Sequence, residues 1–315
     1  MTRKAVVSYP CDDAHLARLR ARSPGWNIIR VDSEAEALRE FVDATVVLGN
    51  RYFLQALPGA RKLEWMQSNS VGMDLLLASE LVRERGFLLS NARGVYDAEM
   101  ADHALAMILA LLRGLTAYER DRAAGKWQAR PLGSIDRTRT LVFGYGGVGR
   151  EVCRRLRLCG GQVTAVRRQV AGIGKLDDPV VGLDEGLALL PEADIVVLAL
   201  PLTAETENLF DRARLGALKE GAYLVNVSRG ALIDEQALKN VLDRLGGVGL
   251  DTLREEPPPA DHWAWRHPKV LLTPHVGRAP ESPAFRRFYP LFEDNLERWA
   301  KSLTPLNLVD KSRGY

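Results

Sequence analysis

Cysteine is scarce: Cys11, Cys153 and Cys159 are the only three in 315 residues. They are too few and too scattered for a disulfide framework or a zinc site. Cys153 and Cys159 fall in a stretch of helical patterning, where they read as buried small hydrophobes. Long apolar runs are missing too. The longest, Ala104 to Leu112, is well short of the ~20 residues a membrane span needs, and the apolar stretch near Met1 is too short for a signal peptide. Neither sign of charge dominates. Forty-three basic and 40 acidic residues, spread along the chain, leave a net +3, which gives no footprint for nucleic acid or an anionic membrane. Repeats and low-complexity tracts are absent apart from the loop Glu255-Glu-Pro-Pro-Pro-Ala260. The expectation is a cytoplasmic protein with no metal, nucleic-acid or membrane partner.

What remains is ordinary globular material, 46% hydrophobic and 26% charged, long enough for two domains, each with its own core. Within it, one stretch is unusual: Thr140-Leu-Val-Phe-Gly144-Tyr-Gly146-Gly147-Val148-Gly149-Arg150. It is an apolar strand running into a glycine fingerprint. Gly144 permits a tight turn, Gly146 lets backbone approach a pyrophosphate, and Gly149 lets the following helix pack on the sheet. That helix then turns its N-terminal amides and positive dipole end toward the phosphates. A dinucleotide is therefore the expected cofactor.

Around this loop the chain alternates strand-like and helix-like patterns. Ala5-Val-Val, Trp26–Val31, Thr45–Leu48, Leu63–Gln67 and Phe87–Ser90 read as strands, with a helix from about Glu34 to Val42. A long apolar helix is expected over Glu99 to Arg120, suited to crossing between domains or lying in an interface. Further strands follow at Leu141, Gln162–Val166, Asp194–Leu200, Tyr223–Val227, Gly247–Leu250 and Val270–Thr273, and a last helix at Phe285–Ser302. Strands alternating with helices imply parallel sheets covered on both faces. The fold class is α/β, with a doubly wound nucleotide domain from roughly 100 to 280.

In an open parallel sheet, ligands bind beyond the carboxyl ends of the strands. Ser228-Arg229-Gly230 follows Val227, Asp251 follows Leu250, and Pro274-His275 follows Thr273, while Glu256 lies on a nearby loop. One guanidinium, two carboxylates and one imidazole suit a hydride transfer. A nicotinamide delivers hydride without a proton, so reducing a ketone calls for a general acid that titrates near neutrality, the natural role of histidine. A carboxylate beside the ring favours its protonated form and fixes its orientation. An arginine grips the carboxylate of a 2-keto acid in a bidentate fork.

These segments, almost end to end, resemble the D-isomer-specific 2-hydroxyacid dehydrogenase family. The likeness lies in Gly144–Val152, Ala193–Thr206, Leu224–Asp234, Gly249–Asp251 through Glu256-Pro257, and Leu272–Gly277. In the first domain, Gln67-Ser-Asn-Ser70-Val71-Gly72-Met-Asp74 resembles the family's substrate-carboxylate loop. The resemblance implies Arg229 as substrate binder and carbonyl polariser, Glu256 as partner of His275, and His275 as acid/base. It places Pro201, Thr206, Val227, Ser228 and Asp251 with the glycine loop in the cofactor site, and Ser70, Val71, Gly72, Arg229 and His275 in the substrate site. It further implies two doubly wound parallel-sheet domains. A Rossmann cofactor domain (101–280) is inserted in a discontinuous flavodoxin-like substrate domain (1–100 plus 281–315), with the active site in the cleft and a homodimer formed through the nucleotide domains.

Two departures shape the functional expectation. Arg167 and Arg168 follow the second strand of the nucleotide unit, where NAD-preferring members carry an acid. An acid accepts from the ribose 2′-hydroxyl, whereas arginine receives a 2′-phosphate. NADP(H) is therefore the preferred cofactor and NAD(H) a possible one; arginines simply facing solvent is the alternative. Arg278, where the family has a small residue, either favours a second negative charge on the substrate or points away. Trp263 and Trp265 either wall the substrate pocket or pack at a domain edge. His103 reads as a hydrogen-bonded structural residue, and His15, His262 and His267 as surface or loop residues. The expected activity is reduction of a small 2-keto acid of the glyoxylate/hydroxypyruvate type to a D-2-hydroxy acid. The alternative is a dinucleotide-sensing corepressor or scaffold with negligible turnover.

Overall fold

In the computed structural model, which describes residues 3–170, 177–278 and 286–315, the apolar runs become two all-parallel sheets. Two compact units hold them: Met1–Val95 with Glu281–Tyr315, and Tyr96–Pro280.

The first unit contains β1 (Lys4–Val7), β2 (Asn27–Arg30), β3 (Val46–Leu48), β4 (Trp65–Gln67) and β5 (Leu88–Ser90). They lie in the order β2-β1-β3-β4-β5, the flavodoxin-like winding. Val6, Val47 and Met66 are fully buried beneath Phe41, Phe53 and Phe87. The C-terminal helix Phe288–Ala300 buries Phe288, Phe292, Asn295 and Leu296, as the spacing of its apolar residues requires. The Phe285 end of the expected helix lies outside the described residues. Two edge-on ring contacts at 5.0 Å join Tyr9 to Phe288 and Phe292. Buried Asn295 donates to Gln67 Oε1 at 2.7 Å and accepts from Leu306 N–H at 2.7 Å, tying the chain's last segment to β4.

The second unit contains β6 (Arg139–Phe143), β7 (Gln162–Val166), β8 (Val180–Val181), β9 (Ile195–Leu198), β10 (Tyr223–Asn226), β11 (Gly247–Leu250) and β12 (Val270–Leu272). Their order is β12-β11-β10-β9-β6-β7-β8. The winding reverses at β6, so the crevice beyond β6 and β9 is the expected ligand position. Both faces are covered, which explains unbroken apolar strands such as Ile195-Val-Val-Leu198. Leu141 and Phe143 face one cluster with Phe210, while Val142 faces another with Ala104, Met107 and Ile108.

The long helix expected over Glu99–Arg120 is in fact two. Asp97–Leu112 and Leu115–Ala123 meet at a 61° bend, where Gly114 takes the left-handed conformation at φ 62° that glycine adopts without a Cβ penalty. Among the described residues, no single helix is long and apolar enough to cross a membrane.

Two single-residue expectations change. Cys159 is exposed at the end of its helix, unlike buried Cys153. His15 is not on the surface but fully buried. Its Nδ1 lies 2.8 Å from Glu293 Oε1, Tyr9 Oη lies 2.5 Å from Nε2, and the ring stacks on Tyr289 at 3.8 Å. Burial lowers the imidazole pKa, against the pull of Glu293.

Candidate active site

The glycine loop shows what each position requires. Gly144 has φ +104°, and a Cβ there would strike the Ala199 carbonyl. Its N–H donates to Val166 O at 2.8 Å, which locks the turn between β6 and β7. A Cβ on Gly149 would collide with the Gly144 carbonyl, so the first turn of the helix Gly147–Leu158 sits directly on the loop. At Gly146 the same construction meets nothing within 4 Å. That open space beside a helix N-terminus is what an approaching pyrophosphate requires, so the residues present fit a dinucleotide. A Cβ on Gly147 would strike the Asp97 carboxylate, and Val148 packs against the core beneath.

Beyond β7, Arg167 N–H donates to Val181 O at 3.1 Å, and Arg168 Nη1 donates to Glu205 at 2.9 Å. Pro201 and Thr206 belong to one turn, where the Thr206 hydroxyl donates to Pro201 O at 2.7 Å. Val227 is buried under the carboxyl end of β10, and the Ser228 hydroxyl donates to Leu200 O.

Beyond β10, Asn226 secures the turn that carries Arg229: its Nδ2 donates to Arg229 O at 2.8 Å, and its Oδ1 accepts Ser228 N–H at 3.0 Å. A Cβ on Gly230 would strike the backbone of Leu253 and Arg254. The absence of a side chain there lets the segment leading to Glu256 lie against the Arg229 turn. Glu256 then uses both oxygens: Oε1 accepts Leu253 N–H at 2.9 Å, and Oε2 lies 2.7 Å from His275 Nδ1. The imidazole is therefore fixed through one nitrogen, and its side chain is 46% exposed, which leaves it accessible to a reactant.

His275 itself sits at φ 53°, a left-handed conformation that costs a non-glycine residue about 1 kcal/mol or more. Asp251 holds it there. The Asp251 carbonyl accepts His275 N–H at 2.8 Å, Oδ1 accepts Val276 N–H at 2.9 Å, and Oδ2 accepts Gly277 N–H at 3.0 Å. The Thr273 hydroxyl donates to Oδ1 at 2.7 Å, and His103 Nε2 lies 3.2 Å from the same oxygen. Burial pushes this carboxyl's pKa up, but the hydrogen bonds of His103, Thr273, Gly277 and Val276 outweigh it and hold the group at about 2. Sequence reasoning assigned Asp251 only to the cofactor and passed over this clamp. His103, expected as a hydrogen-bonded structural residue, is one, with its Nε2 3.2 Å from Asp251 Oδ1 and 3.0 Å from Thr273 Oγ1. The one available signal was the spacing of an acid and a histidine after adjacent strands.

In the first unit, the loop carrying Ser70, Val71 and Gly72 is held from below. Ala92 N–H donates to Ser70 O at 2.9 Å, Asn91 Nδ2 to Val71 O at 3.1 Å, and Asn50 Nδ2 to Ser70 Oγ at 3.0 Å. Among the described residues, the N–H groups of Val71 and Gly72 donate to nothing else. Of the remaining candidates, Trp263 packs on the core, and Trp265 is half exposed with Nε1 donating to Pro259 O at 2.9 Å. The Arg278 guanidinium lies over the Tyr96 ring, 4.8 Å from its centroid.

Comparison with known proteins gives a consistent result. Residues 105–277 match the family described as D-isomer specific 2-hydroxyacid dehydrogenase, NAD binding domain. A glyoxylate reductase of Korarchaeum cryptofilum is 31% identical over 268 residues, covering 82% of this chain and 79% of that protein. A glyoxylate reductase of Thermococcus kodakarensis is 31% identical, covering 86% and 84% respectively. The crystal structure of a D-isomer specific 2-hydroxyacid dehydrogenase family protein from Aeromonas salmonicida superposes with a TM-score of 0.86 at 27% identity, covering 99% of this chain and all of that one.

Proposed function

The chain belongs to the D-isomer specific 2-hydroxyacid dehydrogenase family, and from that premise we propose an NADP(H)-preferring reductase of small 2-keto acids, of the glyoxylate and hydroxypyruvate type. As a member of this family it is an NAD(P)-dependent oxidoreductase. The finer reading rests on its own residues, above all on the His275–Glu256 pair at 2.7 Å on a backbone clamped by Asp251.

Bound at the glycine loop, the nicotinamide cofactor supplies the hydride. His275 supplies the proton: with Nδ1 engaged by Glu256, its other nitrogen is the one that donates to the carbonyl oxygen of a 2-keto acid. Glu256, 2.7 Å from Nδ1, stops the ring from rotating. Arg229 pairs with the substrate carboxylate and draws electron density from the adjacent carbonyl, as a planar cation with two parallel N–H groups can. The amides of Val71 and Gly72, with Ser70, offer the substrate carboxylate further donors. Arg167, directly after β7, receives a 2′-phosphate in the position where a ribose-binding acid would repel it. A homodimer is part of the same proposal.

A screen of 2-keto acids with NADPH and NADH, followed by nicotinamide absorbance, tests the reading. NADPH should give the higher kcat/KM with a glyoxylate-type acid, and a clear NADH preference refutes the role of Arg167. His275→Asn should lower turnover by ~10²–10⁴ with cofactor binding retained, and near-normal turnover refutes the proton-donor role. Tight cofactor binding with no turnover on any acid would favour the corepressor reading instead.

A further inference from the structure

The mechanism leaves unused a buried polar network beside the glycine loop. Tyr145, between Gly144 and Gly146, is buried, and its hydroxyl donates to Asp178 Oδ2 at 2.8 Å. Asp178 is itself 6% exposed, and its Oδ1, which accepts no hydrogen bond among the described residues, forms an ion pair at 2.8 Å with Arg157 Nε in the last turn of the glycine-loop helix. Arg157 Nη1 also donates to Asp177 O at 3.0 Å. Burying a carboxylate there is costly without partners, and those it has are the Tyr145 hydroxyl and the Arg157 guanidinium.

That geometry is relayed along the chain. Directly after Asp178 and Pro179 comes β8, whose two residues pair with the end of β7, Val180 with Ala165 and Val181 with Val166. Ala165 N–H donates to Pro179 O at 2.9 Å, and Arg167 N–H to Val181 O at 3.1 Å. A two-residue edge strand holds little by itself. Its anchor is Asp178, two positions earlier, and what it fixes is the main chain of Arg167.

We propose that Tyr145, Asp178 and Arg157 are positioning residues for cofactor choice. They fasten β8, and through it Arg167, to the glycine loop, so that the pyrophosphate cradle and the side chain reading the adenosine ribose form one rigid piece. This rests on the reading of Arg167 given above. It accounts for a tyrosine hydroxyl buried inside a phosphate-binding loop, a role that packing alone would assign to phenylalanine.

Tyr145→Phe removes the hydroxyl and keeps the ring. The measurements are calorimetric binding of adenosine 2′,5′-bisphosphate and of AMP to the protein without cofactor, and kcat/KM with NADPH and NADH. Affinity for the bisphosphate should fall about tenfold, the effect of one hydrogen bond to a charged group, and AMP affinity should change less than about threefold. NADPH kcat/KM should fall in parallel, through KM, with NADH spared. Asp178→Asn should act in the same direction. Equal losses for both fragments, or none, overturn the proposal. If the unsubstituted protein itself fails to prefer the 2′-phosphorylated ligands, the reading of Arg167 falls and takes this proposal with it; an intact preference that survives Tyr145→Phe overturns the proposal alone.

Discussion

Replacing Asp251 with Asn should weaken the fold at neutral pH and hardly at all in strong acid. In the native protein the carboxylate collects two backbone N–H groups, the Thr273 hydroxyl and the His103 ring. Asparagine, like a protonated acid, offers only one carbonyl oxygen and sets a donor against these donors. The cost of neutralising the group follows from its pKa, about 2 in the folded protein against an ordinary 3.8. That difference corresponds to about 2–2.5 kcal/mol in favour of the folded state wherever the carboxyl is ionised in both states. A depressed carboxylate contributes this stability in full above the unfolded-state pKa and loses it as pH falls from there through about 2. Asp251→Asn should therefore lower the Tm by about 5–10 °C at pH 7, and the gap should close progressively below about pH 4. Thermal unfolding of both proteins across this range reads it directly. A gap as large at pH 3 as at pH 7, or none at pH 7, refutes the argument that charge-assisted bonds to Asp251 hold this turn.

Two further outcomes follow from contacts around the same edge. Glu256→Gln removes the charge on the oxygen 2.7 Å from His275 Nδ1, and turnover should fall ~10–100-fold, the range for a hydrogen bond to a charged group, while KM for the keto acid moves less; steady-state kinetics checks it. Gly146→Ala meets nothing within 4 Å, so the Tm should stay within about 1 °C, yet NADPH affinity by titration should drop about tenfold or more, because the methyl group enters the space proposed for the pyrophosphate.

Legibility in the sequence tracked the range of the forces involved. Strands such as Ile195–Leu198 and Tyr223–Asn226 were visible because a covered sheet needs unbroken apolar runs. The residues following those strands were visible for the same reason. The bend at Gly114 was not, since one glycine inside an Ala/Leu-rich run carries no signal beyond its permissiveness. β8 escaped because two valines make no pattern. His15 with Glu293, and Tyr145 with Asp178, are joined by side-chain polarity across long or irregular stretches, and no periodicity records such a pairing. The clamp at Asp251 fell between these cases: the residue stood out, but its four partners depend on how the chain turns after Thr273.

That turn explains why one edge carries two acids around a single histidine. Asp251 is buried, surrounded by donors and kept ionised, so it cannot exchange a proton near neutrality; it acts on the backbone, holding His275 at φ 53°. Glu256 is partly exposed and spends its charge on the ring nitrogen. Environment rather than residue type separates the two carboxylates. If they were exchanged in function, the strained turn would be held by a carboxylate that water competes for. The division also predicts where each substitution registers: loss of the first in stability and its pH dependence, loss of the second in turnover at unchanged stability.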